Sequence, residues 1–283
     1  MAIPCEPAGF HHPLVRAARL LQQKKHRQRR RCFLLEGATL IEEALDAGAR
    51  LLSVFLLSKP DPHIEMLAAR AADAGRATYR VDERTMESLS QMKSPPGIVA
   101  VCEFVDRDIA DLCAVASSSG PVVILVLDDI SDPGNAGTLI RSANAFGAAA
   151  VCLGARGVDP YNDKMVRATM GALFRTPILR YDDWSDFKAQ ADRVRLRVIA
   201  AQAGASDVRT VTSLDRVALL VGNERAGLTA VPPADIATLV GIPQTRGAES
   251  LNAAVAGSLV LYEIARRVGT LTGRGVGAAE VLK

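Results

Sequence analysis

Five polar residues in the C-terminal half of the chain are of types that could align and activate a reacting group: Asn135, Arg141, Glu224, Ser250 and Asn252. The guanidinium of the arginine could stabilise a developing oxyanion or hold a phosphate. The other four side chains could orient that arginine and a polar substrate through hydrogen bonds. All four histidines precede residue 64, so a histidine-based acid–base mechanism is hard to build in this half.

Each of these residues also has a purely structural interpretation. Asn135 could cap a helix and Arg141 could be a solvated residue of the same helix, the commoner outcome for such a segment taken alone. Glu224 could be exposed in a plain turn. Ser250 or Glu249 could cap the helix that follows. Only the combination of the three segments favours a shared site.

Each polar segment directly follows an apolar run that is typical of a buried strand. The runs are 121–127, 217–222 and 237–242. Uninterrupted apolar runs indicate parallel strands covered on both faces. Because ligands of open parallel sheets bind in the crevice at the carboxyl ends of the strands, we expect the three segments to meet there. Gly222 and Gly227 would let a ligand approach the backbone closely.

The remaining patterns predict two domains with a short connection. Residues 1–105 form a compact αβ domain, 106–120 a linker, and 121–283 a parallel α/β domain with a loose tail from residue 270. Further strands are expected at 32–37, 51–57, 77–81, 97–104, 149–154 and 196–201, and helices at 14–31, 38–47, 62–74, 138–146 and 251–268. The last helix has a face of small residues, which predicts close packing against another helix, within the chain or across a dimer. Its members are Ala253, Ala254, Ala256 and Gly257.

The formal charge is only +3, from 34 Lys and Arg residues against 31 Asp and Glu. The whole excess lies in residues 1–105, which hold 15 basic and 12 acidic residues, whereas residues 106–283 hold 19 of each. The run 24–31 contains no acid and six basic residues, namely Lys24, Lys25, Arg27, Arg29, Arg30 and Arg31. Such a run could be a solvated helix face or could contact the phosphates of a nucleic acid.

Several classes of protein are excluded by what the sequence lacks. No run of about 18 apolar residues is present, so we expect no membrane span, and we expect no secretory signal at the N-terminus. The five cysteines are scattered without a C-x-x-C pair, which argues against a disulfide framework or a metal site and favours a reducing cytoplasm.

In their order and spacing the three segments resemble the three motifs of the SpoU (TrmH) family of S-adenosylmethionine-dependent RNA 2′-O-ribose methyltransferases, in the SPOUT superfamily. The matching residues are Asn135, Gly137 and Arg141 in motif one, Gly222-Asn223-Glu224 and Gly227 in motif two, and Ile242-Pro243 and Ser250-Leu251-Asn252 in motif three. The resemblance covers about residues 121–268. The N-terminal domain resembles the L30e-type substrate-binding domain that often precedes this catalytic domain.

The resemblance implies an enzyme that transfers a methyl group from S-adenosylmethionine to a ribose 2′-hydroxyl of structured RNA. Motifs two and three would form the cofactor pocket in a deep trefoil knot, with Gly222, Ile242 and Leu251 at the cofactor-contacting positions. The family works as a homodimer with active sites near the subunit interface. Gln244 and Ala253-Ala254 depart from the commoner family motifs, which puts details of the adenine packing in doubt.

The resemblance also suggests roles for the charged residues. The family assigns help in removing the hydroxyl proton to Arg141; because arginine is almost always protonated, stabilising the alkoxide or clamping a phosphate is physically easier. Asn135, Glu224, Ser250 and Asn252 would orient Arg141 and the ribose. The basic run 24–31, with Arg225 and Arg246, would contact RNA phosphates.

Several alternatives stay open at this stage. Ribosomal RNA, of the large subunit in particular, is favoured over transfer RNA because extended members of the family act on the ribosome. A role in ribosome-directed antibiotic resistance is left open by the Ala- and Arg-rich composition. The chain could also be a non-catalytic RNA-binding or ribosome-assembly protein, or an α/β transferase for a small anionic substrate.

Overall fold

The computed structural model describes residues 5–229, 231–247 and 249–271. Most of the predicted loose tail therefore lies outside the described residues. Two compact units are present: unit 1 contains residues 5–105 together with Val158–Arg175, and unit 2 contains Asp106–Gly157 and the chain from Thr176 onward. None of the helices in the described ranges has the length and apolar character of a membrane span.

The elements up to residue 103 alternate between strands and helices. They are β1 (Cys5–Pro7), α1 (Pro13–Leu20), α2 (Lys24–Arg30), β2 (Cys32–Glu36), α3 (Ala38–Asp46), β3 (Leu51–Leu57), α4 (Pro62–Asp73), β4 (Ala77–Val81), α5 (Glu83–Leu89) and β5 (Ile98–Glu103). The sheet of unit 1 has the order β1-β4-β3-β5-β2, in which β1, β4 and β3 are parallel and β5 is antiparallel to both neighbours. The strands predicted from the apolar runs in this region are confirmed to within a residue or two.

The elements that follow build the second sheet. They are β6 (Arg107–Asp108), α6 (Leu112–Val115), β7 (Val122–Leu127), α7 (Pro133–Ala145), β8 (Ala150–Gly154), α8 (Asp163–Thr169), α9 (Ala172–Arg175), β9 (Ile178–Tyr181), α10 (Trp184–Arg193), β10 (Arg197–Asp207), β11 (Arg216–Val221), β12 (Thr238–Gly241) and α11 (Ala253–Val268). The sheet has the order β12-β10-β11-β7-β8-β9-β6, and all of these pairings are parallel. The parallel α/β sheet predicted from the sequence is confirmed.

The single helix predicted over 14–31 is wrong. The chain breaks between α1 and α2, where Gln23 is extended with φ −98° and ψ 131°. The Nη1 atom of Arg27 donates to the carbonyl oxygens of Leu21 and Gln22, at 2.9 Å each. These carbonyls lie at the end of α1 and lack helical partners, so the guanidinium supplies the hydrogen bonds that a continuous helix would have made.

Residues Val158–Arg175, which sequence analysis placed in the catalytic domain, belong to unit 1. Tyr161 lies flat on Phe104, with ring centroids 3.7 Å apart and planes at 13°, and its other neighbour is Phe33 at 4.6 Å. The Tyr161 hydroxyl accepts a hydrogen bond from the backbone N–H of Val105. The segment between β8 and β9 therefore completes the aromatic core of unit 1.

Helix α7 begins at Pro133, five residues earlier than predicted. The run 133–137, expected to be a loop, is its first turn, in which proline is well tolerated because that turn needs no intrahelical N–H donor. Asp132 is the N-cap and accepts a hydrogen bond of 2.8 Å from the backbone N–H of Asn135. The interpretation of Asn135 as the N-cap is therefore wrong, and its side chain is available for other contacts.

The small face of α11 packs within unit 2. A Cβ atom on Gly257 would lie 2.8 Å from Leu139 Cδ2 of α7 and 3.0 Å from Val221 Cγ2 of β11. The hydroxyls of Ser142 and Ser258 join the two helices by a hydrogen bond of 2.7 Å. Small residues at this contact let the two helices pack closely. This packing fixes the positions of their N-terminal ends relative to each other.

Residues 106–120, expected to be a linker, are instead a packed part of unit 2. Strand β6 pairs with β9, and a 3-10 turn at Ile109–Asp111 leads into α6. Ile109 and Leu112 are buried in the same apolar cluster as Phe187 and Trp184. The end of the segment, at residues 117–119, is continuously exposed.

We expect Leu112→Ala to lower the free energy of unfolding by about 2–5 kcal/mol, the usual effect of deleting a buried leucine side chain. Urea unfolding of the full chain measures this change. Ser119→Ala, in the exposed end of the same segment, is the matched control and should change stability by less than about 0.5 kcal/mol. Equal, small effects of both variants would show that the segment is a true linker.

Candidate active site

The three polar segments meet at the carboxyl edge of the sheet of unit 2. Motif one follows β7, motif two follows β11, and motif three follows β12. The first two segments are joined directly, because Asn223 Nδ2 donates to the backbone oxygen of Asp129 at 2.9 Å. The expectation that these segments share one crevice is therefore met by the fold.

A chain of side-chain hydrogen bonds links all three motifs. Asn252 Nδ2 donates to Asn135 Oδ1 at 2.9 Å, and Asn135 Nδ2 donates to Glu224 Oε1 at 2.8 Å. The Oδ1 atom of Asn252 accepts from the backbone N–H groups of Ala254 and Val255, so Asn252 is the N-cap of α11, rather than Ser250 or Glu249. Because its oxygen is engaged by the helix, only its amide nitrogen is left to face Asn135.

The carboxylate of Glu224 accepts hydrogen bonds on both of its oxygens. Asn135 donates to Oε1, and the hydroxyl of Ser131 donates to Oε2 at 3.2 Å. Partial burial raises the pKa of Glu224, but the hydrogen bonds from Asn135 and Ser131 outweigh it and hold this pKa below its usual range. The charged carboxylate is thus the centre of the network.

Motif two folds into a tight turn on which the cavity depends. The backbone N–H of Asn223 donates to Gly227 O at 2.9 Å, and the N–H of Gly227 donates back to Asn223 O at 3.0 Å. Gly227 has φ +68°, in the left-handed region that favours glycine. A Cβ atom on Gly222 would lie 2.7 Å from the oxygen of Gly227, so only glycine allows the turn to fold back on the strand end.

A cavity of about 660 Å³ opens beside this turn. The three residues expected to contact the cofactor, Gly222, Ile242 and Leu251, all line it. The lining is otherwise mainly apolar, with Leu228 and Val240 among its members. The size and the combination of an apolar wall with backbone groups suit a nucleoside cofactor such as S-adenosylmethionine.

Not all predicted catalytic residues are brought together. Ser250 lines the cavity and Arg141 is exposed on α7, and among the described residues neither side chain has a hydrogen-bond or ion-pair partner. The expectation that the other polar residues orient Arg141 is therefore not met by any contact within this chain. Its guanidinium is left free to meet a substrate.

The basic residues proposed for RNA contacts divide into two groups. Arg225, Arg246 and five basic residues of the run 24–31 are exposed, these five being Lys24, Lys25, Arg29, Arg30 and Arg31. Arg27, in contrast, is buried and forms an ion pair of 2.6 Å with Asp159, so its assignment as an RNA contact is wrong. Arg31 lies over the Phe104 ring at 4.8 Å.

Two residues of the site, Ser131 and Asp132, were not predicted from the sequence, and Asn223 was predicted only as a member of motif two, without a role. Ser131 binds Glu224, Asp132 caps α7, and Asn223 ties motif two to motif one. A signal for Asp132 was available, because an aspartate directly before a proline is a common start of a helix. No local signal could have found Ser131, since its partner lies 93 residues away.

Two family models match successive parts of the chain. The SpoU rRNA Methylase family matches residues 122–262, and the MRM3-like substrate binding domain matches residues 12–100. The 23S rRNA (guanosine(2553)-2′-O)-methyltransferase RlmP of Bacillus subtilis is 31% identical over 246 residues, which cover 86% of this chain and 92% of that protein.

Two solved structures with bound cofactor are similar along the whole chain. The AdoMet-bound rRNA methyltransferase from Sinorhizobium meliloti is 32% identical with a TM-score of 0.80, over 93% of this chain and 98% of that one. The SpoU methyltransferase AviRb from Streptomyces viridochromogenes, in complex with AdoMet, is 25% identical with a TM-score of 0.77, over 93% and 99%.

Fold and site together define an α/β methyltransferase of the SPOUT type that uses S-adenosylmethionine. The chain belongs to the SpoU rRNA methylase family, as the resemblance of its three motifs implied.

We expect Glu224→Gln to destabilise the site in a pH-dependent way. Since the folded-state pKa of Glu224 lies below 4.5, its ordinary value, the carboxylate stabilises the fold fully above that pH. This contribution is lost as the pH falls through the folded-state pKa, so the unfolding free energies of the wild type and the variant should converge in acid. Denaturant unfolding across this pH range measures the difference.

Glu249→Gln is the matched control, because the Glu249 carboxylate is exposed and has no hydrogen-bond partner among the described residues. Its unfolding free energy should stay within about 0.5 kcal/mol of the wild-type value. If the difference in unfolding free energy between Glu224→Gln and the wild type stays constant as the pH falls, the charged carboxylate does not have the stabilising role assigned to it.

Proposed function

We propose that the protein methylates a ribose 2′-hydroxyl in 23S ribosomal RNA. The observation that carries this proposal is the position of Arg141, which is exposed on α7 and has no hydrogen-bond or ion-pair partner among the described residues. It lies in the same motif as Asn135, which binds Glu224 at the cofactor cavity. Support for the substrate comes from RlmP, whose name describes a 2′-O-methyltransferase of a 23S rRNA guanosine. The substrate-binding domain matched over residues 12–100 agrees with a large RNA target.

The bound cofactor supplies a methyl group already activated by its sulfonium sulfur. The ribose oxygen bonds to the methyl carbon as the carbon–sulfur bond breaks, and the electron pair of that bond stays on the sulfur, which becomes a neutral thioether. The hydroxyl proton passes to water, and negative charge develops on the ribose oxygen as that proton leaves. The guanidinium of Arg141 stabilises this charge as a hydrogen-bond donor and not as a base, because arginine side chains in proteins are almost always protonated. Asn135, Glu224 and Asn252 act by holding α7, the motif-two turn and α11 in a fixed relation around the reacting groups.

RNA affinity comes mainly from unit 1. Lys24, Lys25, Arg29 and Arg30 are exposed on α2, and no carboxylate among the described residues pairs with them. Their charges are therefore available to phosphates, and binding should weaken steeply as salt rises. Aromatic residues make up only 4% of the chain, so recognition by charge and shape is favoured over base stacking.

The active form in this proposal is a homodimer built on α11. Leu251, Val255, Leu259 and Tyr262 form an apolar stripe, each 37–46% exposed. Leu251 lines the cofactor cavity, while Leu259 and Tyr262 line an adjoining hollow with Pro243. A second copy that covers this self-complementary stripe would close the rim of the cavity, which explains why the stripe continues into the site.

The proposal includes the two fold features implied by the family resemblance. Residues 222–228, 239–242 and 250–251 line one cavity, and this closeness of motifs two and three supports the deep trefoil knot. The mixed sheet of unit 1, with helices between its strands, supports an L30e-type substrate-binding domain.

The decisive experiment incubates the protein with methyl-labelled S-adenosylmethionine and either 23S ribosomal RNA or transfer RNA. We expect label in 23S RNA at one ribose, mapped by its resistance to alkaline cleavage. Label in transfer RNA alone would show that transfer RNA, and not 23S ribosomal RNA, is the substrate. Cofactor binding without label in either RNA would favour a non-catalytic RNA-binding protein.

We expect Arg141→Ala to lower kcat by about 10²–10³, the usual loss when a donor to a developing oxyanion is removed. The cofactor Kd, measured by calorimetry, should not change, because Arg141 does not line the cavity. Arg193→Ala, at an exposed position on α10, is the matched control and should retain full activity. Normal turnover of Arg141→Ala would contradict the assigned role.

We expect Val255→Glu to convert the dimer to a monomer, since it places a charge in the centre of the apolar stripe. Sedimentation velocity measures the oligomeric state. Met66→Glu adds the same charge at an equally exposed apolar residue on α4 and should leave the dimer intact. A wild-type protein that sediments as a monomer at micromolar concentration would overturn the proposed dimer.

A further inference from the structure

We propose that Asp159 and Tyr161 are positioning residues for RNA binding: they hold the basic helix α2 so that its four exposed cations face the RNA. Both residues lie in the segment between β8 and β9, in the part of the sequence matched by the methylase family. The inference rests on the proposed function, in which α2 binds RNA phosphates. It adds the residues that fix the orientation of α2.

Helix α2 cannot be anchored by an apolar face. Its sequence is KKHRQRR, and Arg27 is its one buried residue. The helices of a folded unit are normally held by the burial of an apolar stripe, which this helix lacks. Its like charges also repel one another. Whatever holds the Arg27 side chain therefore sets the direction in which the remaining charges point.

The anchor of Arg27 is a fork of hydrogen bonds to Asp159. Its Nε and Nη2 atoms donate to Asp159 Oδ2 at 3.2 and 2.6 Å, while Nη1 holds the carbonyl oxygens of Leu21 and Gln22. The two charged side chains are only 6% and 11% exposed. A guanidinium bound on three of its nitrogens by rigid partners has little rotational freedom, so the bond fixes a direction and not only a distance.

Tyr161 holds the other end of the same helix. Arg31, which ends α2 with φ 54°, lies over the face of Phe104, and Phe104 is stacked on Tyr161. Tyr161 is itself fixed, since its hydroxyl accepts from the N–H of Val105 and its ring contacts Phe33. Two residues of one short segment thus hold the middle and the end of α2.

This arrangement separates the basic run into anchors and free charges. Arg27 binds Asp159 of the segment and Arg31 lies over Phe104, which stacks on Tyr161 of the segment. The other four cations are exposed without an acidic partner in the described part of the chain, namely Lys24, Lys25, Arg29 and Arg30. Phosphate binding needs several charges at fixed spacing, so a change in the helix direction would weaken binding without removing any charge.

The test measures the Kd of the full-length protein for a 23S ribosomal RNA transcript as a function of salt. For Asp159→Asn and Tyr161→Leu we expect a Kd raised about tenfold, and a salt slope reduced by about 0.7–0.9 for each lost phosphate contact. The cofactor Kd should stay unchanged. In the α2-neutralised variant, K24Q/K25Q/R29Q/R30Q, adding Asp159→Asn should cause little further loss, because both changes act on the same contacts.

A matched control comes from the same segment. Arg175 forms an ion pair with Glu43 of α3, which also joins the segment to the N-terminal part of the chain but does not touch α2. Glu43→Gln should leave both the RNA Kd and the salt slope unchanged. If it weakens RNA binding as much as Asp159→Asn does, general loosening of the segment explains the loss and the proposal is overturned.

Loss of the buried carboxylate could unfold the protein, so a second variant removes the whole pair. Arg27→Met with Asp159→Leu leaves no lone buried charge and should keep a cooperative unfolding transition. We expect it to bind RNA as weakly as Asp159→Asn does; wild-type affinity and salt slope would overturn the proposal.

These binding measurements do not depend on methyl transfer. If the wild type methylates no RNA, the proposed reaction fails while the positioning role is still tested by the salt slopes. An unchanged slope in the α2-neutralised variant would remove the basis of the positioning role, whatever the methylation result.

Discussion

The geometry of the methyltransferase site depends on one short relay of hydrogen bonds, from Asn252 through Asn135 to Glu224. Its three members lie on three segments that are far apart in sequence, and each is also fixed locally. Asn252 caps α11, Asn135 lies in the first turn of α7, and Glu224 lies in a turn closed by two backbone hydrogen bonds. These hydrogen bonds therefore hold three separately formed turns together beside one cavity.

Two arginines illustrate how the same side chain is used in opposite ways. Arg27 is buried, and its donors are satisfied by Asp159 and two carbonyl oxygens, so its charge organises the protein. Arg141 is exposed on α7, and no carboxylate of the described chain pairs with it. A charge that meets no partner inside the protein is available to a substrate, whereas a charge already neutralised is not. Local sequence alone cannot distinguish the two, because both lie in helices and the partner of Arg27 is 132 residues away.

Much of the fold and of the site could be predicted from the sequence. Buried parallel strands such as Val122–Leu127 are apolar throughout, and the polar segments after them converge because such strands end at one edge. The predictions failed where long-range contacts decide the outcome. The break after α1 depends on the guanidinium of Arg27, and the burial of Arg27 depends on Asp159, which is 132 residues away. No local pattern carries that information.

The segment Val158–Arg175 makes the chain pass between the two units three times, after residues 105, 157 and 175. Unit 1 is therefore not a modular cassette that recombination could move as a single stretch of sequence. A graft of residues 1–105 onto another catalytic domain would leave Arg27 without its carboxylate and Phe104 without its stacking partner. Substrate-binding and catalytic parts of this architecture are thus expected to be inherited together, and RNA specificity to change by substitution on an intact framework.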